Sequence, residues 1–200
     1  MLKKQRILWL SLVLILGLWC NSGYARTYNF QLYANTDDFE ASIGSESLVS
    51  DAVLSMGGGV AFSENDYRMG NVHFALKDEV FMPALTLGLG FKGTLGTAEV
   101  DDEDYDIISI GFMILGEYDF RRIYSNLPVL IYSNFTGSPD PLSFGDTDTY
   151  LEFNIGIKGY IVNSAAIVFG YKSLEVRFDD DPGENKLIDD SFYFGLELSF

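Results

Sequence analysis

The last nine residues of the chain, Phe192-Tyr193-Phe194-Gly195-Leu196-Glu197-Leu198-Ser199-Phe200, alternate without a break between large apolar side chains and polar, small or amphipathic ones. A side-chain period of two belongs to a strand whose two faces meet different surroundings. A soluble sheet seldom presents five bulky apolar side chains in a row on one face. In an outer-membrane barrel that face meets lipid, and the terminal strand closes the cylinder. Tyr193, Gly195, Leu198 and Phe200 also fit the terminal pattern read by the bacterial barrel-insertion machinery, and are expected to form a barrel-assembly signal.

The same alternation recurs along the chain. Tyr28, Phe30 and Leu32 alternate with Asn29 and Gln31; Leu54, Met56, Val60 and Phe62 with Ser55, Gly57, Gly59 and Ala61. Val72, Phe74 and Leu76 alternate with Asn71, His73, Ala75 and Lys77, and Leu85, Leu87, Leu89 and Phe91 with Thr86, Gly88, Gly90 and Lys92. Ile108 to Ile114, Leu151 to Ile157 and Ile167 to Tyr171 repeat the pattern. Each segment is near the roughly 9–11 residues that a tilted membrane strand requires. No window carries a 3.6-residue period, so the chain is read as all-β.

Two segments resist a simple reading. Leu127 to Phe135 is apolar on both parities and is assigned as a strand without faces. In Leu174 to Phe178, Glu175 and Arg177 fall on the parity of the lipid-facing Ile167 and Phe169. Either a bulge resets the register there or the strand has already left the bilayer; the second is preferred.

The amino-terminal end reads as an export signal. Lys3, Lys4 and Arg6 precede an apolar run from Ile7 to Trp19, and Gly23-Tyr24-Ala25 offers small residues for cleavage. The run falls short of the roughly 20 residues of a spanning helix. Residues 1–25 are therefore expected to be a cleaved signal peptide and residues 26–200 a single barrel domain. Trp19 stands where lipidation of Cys20 would need a small residue. Cleavage after Ala25 leaves no cysteine, so disulfides play no part.

Charge excludes one class of partner. The formal net charge is −16, and cleavage removes three of the 13 basic residues and none of the 29 acidic ones. Nucleic acid, whose phosphates need Lys and Arg, is not expected. The expected partners are the lipid bilayer, lipopolysaccharide and the barrel-assembly machinery.

Counting back from a carboxy terminus on the periplasmic side, 179–188, 137–148 and 95–104 become extracellular segments, and 163–164, 121–126 and 78–83 periplasmic ones. Longer segments outside and shorter ones inside are the bacterial pattern. Eight strands then run from Ala52 to Phe200. Thr27–Ala34 makes a ninth, and Phe39–Ile43 supplies the tenth as the return arm of a hairpin. The expected fold is a transmembrane antiparallel up-and-down β-barrel of 8–10 strands, with ten favoured.

Ser138-Pro139-Asp140 with Leu142-Ser143, followed by Tyr150, Glu152, Asn154 and Gly156, resembles the YfaZ family of small Gram-negative outer-membrane proteins. So do Gly170-Tyr171, the acidic segment with Gly183 and Asn185, and the closing Gly195, Ser199 and Phe200. The resemblance is clearest over the last ~70 residues and implies an integral outer-membrane barrel. It brings no catalytic residue with it.

Chemistry in the residues themselves is sparse. A hydrolase needs a nucleophile, a base and an orienting group. The one histidine, His73, and the candidate nucleophile Ser55 are both expected to face the lumen, but no motif links them. Acidic pairs such as Asp37-Asp38 and Asp189-Asp190 are expected in loops, where a carboxylate stays close to its ordinary acidity. Asp101 to Asp104 with Asp106, and Asp179 to Asp181 with Glu184, suggest oxygen ligands for calcium, yet Ile107 stands where an EF-hand needs glycine. No cofactor or dedicated metal site is expected. Loosely bound divalent cations at the acidic loops, shared with lipopolysaccharide phosphates, are.

By parity Lys92, Lys158 and Lys172 point inward, as do Glu117, Glu152 and Glu197. Paired, they form a salt-bridged plug; unpaired across an open lumen, a charged eyelet that selects solutes. Eight strands leave an interior just wide enough for side chains, which favours the plug; at ten the balance is closer. The expected role is structural or interactive, with acidic extracellular loops over a salt-bridged lumen. A narrow channel for small solutes is the alternative, and a lipid-modifying enzyme the third reading.

Overall fold

The computed structural model describes residues 26–64, 66–100, 103–124, 126–178 and 186–200. The expected signal peptide and the acidic residues Asp101, Asp102 and 179–185 lie outside the described residues. Ten long strands make the wall: β1 (Arg26–Ala34), β2 (Asp38–Val49), β3 (Ala52–Ser63), β4 (Tyr67–Glu79), β5 (Leu85–Val100), β6 (Glu103–Asp119), β7 (Val129–Ser138), β9 (Thr147–Val162), β10 (Ala165–Phe178) and β11 (Lys186–Ser199). A two-residue strand, β8 (Ser143–Phe144), pairs with β6 beyond the end of β7.

Every pairing is antiparallel between neighbours, and two seams close the sheet on itself. β5 pairs with β6 along its whole length, and β1 pairs with β11 from Asn29 opposite Ser199 to Ala34 opposite Phe194. Tyr28 and Phe200 exchange backbone hydrogen bonds of 2.8 and 2.9 Å at the end of that seam. Closure pairs backbone N–H and C=O groups around the whole circumference, the condition for backbone to sit in hydrocarbon, and edges without a partner, as on β11 from Lys186 to Tyr193, lie toward the far end.

The exterior follows the alternation read from the sequence. Ile43, Val60, Val72, Phe74, Leu89, Phe91, Phe112, Ile114, Ile155, Phe169, Phe194 and Leu196 all stand exposed on the outer wall. In β7, whose faces alternation does not distinguish, Ile131 and Phe135 point out while Leu130, Thr136 and Ser138 are buried inside.

Several segments differ from expectation. The expected loop Leu95–Asp104 is mostly strand: β5 runs to Val100 and β6 begins at Glu103. Asp189 and Asp190, expected in a loop, belong to β11 and pair with Leu174 and Ser173. β2 extends well beyond Phe39–Ile43, to Val49. With these strands lengthened, the connections at the two ends of the barrel are less unequal than expected. At the far end residues 139–146 join β7 to β9, and at the end that carries Arg26 and Phe200 (the termini end) residues 120–124 and 126–128 lie between β6 and β7.

The register of β10 runs unbroken from Ala166 to Arg177, so no bulge resets it. Instead its polarity inverts. Ile167 and Phe169 face out below, whereas above them Glu175 and Arg177 face out and Leu174 and Val176 are sealed inside. β6 does the same, with Ile110, Phe112 and Ile114 outside, then Asp104 and Asp106 outside over buried Tyr105 and Ile107. A wall that is apolar outside must meet lipid, and one that is polar outside and apolar inside must meet water. The barrel therefore rises out of the apolar band at the end opposite the termini.

Candidate functional site

The interior has three levels. At the far end, Tyr67, Met69, Ala98, Tyr105, Ile107, Tyr150, Leu174, Val176, Phe178 and Leu187 form an apolar core. Ile107, Leu174 and Val176 are completely inaccessible and Tyr150 is 1% exposed. A small soluble domain is built the same way, and here that packing spans the bore.

Beneath it lies a belt of buried polar groups. Lys92 Nζ donates to Glu152 Oε2 at 2.6 Å, and Glu152 also accepts from Tyr150 Oη and, at 2.8 Å, from Asn154 Nδ2. Lys172 Nζ donates to Tyr67 Oη at 2.8 Å, which in turn donates to Asp189 Oδ2 at 2.7 Å. Glu40 and Asp189 lie 3.9 and 3.7 Å from Lys172. The Tyr132 and Tyr193 hydroxyls meet at 2.6 Å. Glycines make room for these rings: a Cβ at Gly156 would fall 2.6 Å from Tyr132 Oη, and one at Gly170 2.5 Å from Tyr193 Oη.

The third level is a polar cavity of about 590 Å³, lined down to Arg121, Arg122 and Asn163 in the turns at the termini end. Lys158 donates to Glu197 at 2.5 Å, and Gln31 donates to the same carboxylate at 2.7 Å. Lys77 bridges Glu46 at 2.5 Å and Glu117 at 3.2 Å. At the mouth Arg121 pairs with Asp119 at 2.7 Å and stacks over Tyr160, 3.5 Å from the ring centroid. Arg122 pairs with Glu79 on the rim.

The six charges singled out in the sequence thus all sit inside the barrel, four of them paired with one another and two with the further partners Lys77, Glu40 and Asp189. Lys92 meets Glu152 and Lys158 meets Glu197, while Glu117 pairs with Lys77 and Lys172 with Glu40 and Asp189. Lys77 lay on the inward parity of its strand and was passed over. Glu46 lies beyond Phe39–Ile43, the part of β2 legible in the sequence, whereas Glu40 lies within it between the outward Phe39 and Ala41; Asp189 falls in the segment expected to be a loop. The apolar core had a signal too, the inversion of alternation in β6 and β10.

Of the residues expected to form the terminal signal, Tyr193 and Gly195 face inward and Leu198 and Phe200 outward. His73 and Ser55 both line the cavity, but among the described residues no hydrogen bond joins them. Asp37 and Asp38 cap the β1–β2 turn, their backbone N–H groups donating to Asn35 Oδ1 at 2.8 and 2.6 Å. No group of acidic, histidine or cysteine side chains suited to a metal occurs among the described residues.

A closed antiparallel barrel with an apolar outer band and a polar, ion-paired interior defines an integral protein of the Gram-negative outer membrane. The model of the family described as YfaZ precursor matches residues 7–200, and the chain belongs to that family. No curated protein is similar enough in sequence to match. Among solved structures, Neisserial surface protein A is similar with a TM-score of 0.41 and 9% identity, over 90% of this chain and 100% of that one. A porin gives 0.38 and 10%, over 90% of this chain and 59% of its own. The outer membrane protease OmpT from Escherichia coli gives 0.33 and 10%, over 88% and 93%.

Proposed function

We propose that the protein is a non-conducting barrel with a structural or interactive role in the outer membrane. In this reading residues 1–25 are removed on export, the termini end faces the periplasm and the polar far end is displayed outside the cell. Its acidic segments meet lipopolysaccharide, whose phosphates share divalent cations with them. Tyr193, Gly195, Leu198 and Phe200 present the closing strand to the barrel-assembly machinery. The protein acts without catalysing a reaction.

One observation carries this reading. The apolar core fills the bore at the far end, and a dry, close-packed interior offers no path to hydrated solutes. The ion pairs beneath it are matched, which suits a wall better than a selective constriction. The alternative, a narrow channel, draws support from the cavity at the termini end but requires the core to move aside. Purified protein inserted into a planar bilayer is expected to give no steady conductance. A stable, ion-selective open level would put the channel in place of the structural role.

A further inference from the structure

We propose that the cavity at the termini end is a binding site for a small, uncharged polyhydroxylated molecule of mono- or disaccharide size. Its volume, about 590 Å³, lies within the range of about 300–1,000 Å³ typical of ligand sites. The charge pattern selects the class of ligand. Each basic side chain on its wall (Lys77, Lys92, Lys158, Arg121 and Arg122) is already bound to a carboxylate. Lys77 holds two, Glu46 and Glu117. An anion finds no cation to meet and faces carboxylates. A cation has to compete with the lysine or arginine that each of these carboxylates already pairs with.

Hydrogen-bonding groups without charge are left over. Asn29, Ser55, Asn71, His73 and Thr86, carried by β1, β3, β4 and β5, line the cavity. Among the described residues none of them has a side-chain hydrogen bond. Amide and hydroxyl groups donate and accept at once, as sugar hydroxyls do. Next to β5 on the same wall, Met113, Leu115 and Leu130 on β6 and β7 supply an apolar patch. A polar arc that runs into an apolar one suits a ring that carries hydroxyls at its edge and C–H groups on its face. A polar cavity would otherwise be filled by water, and a polyol replaces those waters group for group.

Calorimetric titration of the intact barrel in detergent micelles tests this independently of whether the protein conducts. The probes are glucose and maltose, with glucosamine and gluconate as charged counterparts. The expected result is saturable one-site binding of glucose or maltose, at least about tenfold tighter than of either charged sugar. Asn71→Leu removes a donor and an acceptor and should weaken binding about tenfold. Thr97→Ala, on the outer wall, should leave it unchanged, and both variants should keep the mobility shift between unheated and boiled samples. Absence of saturable binding by both neutral sugars overturns the proposal. So does tighter binding of glucosamine or gluconate, or unchanged affinity in a folded Asn71→Leu barrel.

Discussion

Lys92→Met is expected to lower the unfolding free energy of the barrel by about 3–5 kcal/mol, the range for removing one partner of a buried ion pair. Lys92 and Glu152 are the most enclosed pair of the interior, with side chains only 9% and 7% exposed. Without the lysine, Glu152 keeps Tyr150 and Asn154 as donors but loses its nearest countercharge. Those two hydrogen bonds hold the cost near the lower end of the range. Adding Glu152→Gln should recover most of the loss, because a neutral amide needs no countercharge in the same place. Arg122→Met, on the rim with a half-exposed partner, should cost at most about 1 kcal/mol. Urea titration of barrels folded into lipid vesicles measures all of these. Equal, small effects for Lys92→Met and Arg122→Met would show that the lumen is hydrated at the level of the belt.

Leu89→Arg is expected to cost roughly 2–4 kcal/mol, the penalty for a basic side chain at the bilayer midplane of a barrel. Leu89 is 69% exposed on the outer wall and lies between Leu76 and Ile114 of the neighbouring strands, both facing out. Thr97 stands on the same face of the same strand, level with outward Arg68 and Asp106. Thr97→Arg should therefore cost about 0–1 kcal/mol. The ratio within one strand reports where lipid ends. Similar costs at the two positions would move the membrane boundary and contradict the polarity inversion in β6 and β10.

The alternation that exposes Leu89 was legible in the sequence, because a period of two needs no knowledge of which strands pair. That is why the outward faces of β3 to β6 and β9 to β11 could be read directly. β2 was read only in part. The stretch Gly44-Ser45-Glu46-Ser47 in its second half has no large apolar residue on either parity, so nothing marks it as membrane wall. The interior was harder for a different reason. Parity says that Lys92 points inward, but which carboxylate it meets depends on the bore, where Glu152 approaches from across the barrel. Lys92 and Glu152 both read as inward charges, yet sequence distance carries no information about such a contact. The apolar core was missed because Leu174 and Val176 were judged by their charged neighbours. Glu175 and Arg177 marked the exit from lipid, and the same inversion placed Leu174 and Val176 inside a barrel that continues into water.

Hydroxyl-radical footprinting of the barrel in lipid bilayers, read residue by residue by mass spectrometry, tests the central claim most directly. The three environments differ in contact with water. Tyr160 and His73, which line the cavity, should be oxidised readily. Phe91 and Phe112 should be shielded by lipid, and Met69, Tyr150 and Leu174 by the core that closes the far end. Oxidation of Met69, Tyr150 and Leu174 at the rate of Tyr160 and His73 would reveal a continuous water path through the barrel and contradict the account.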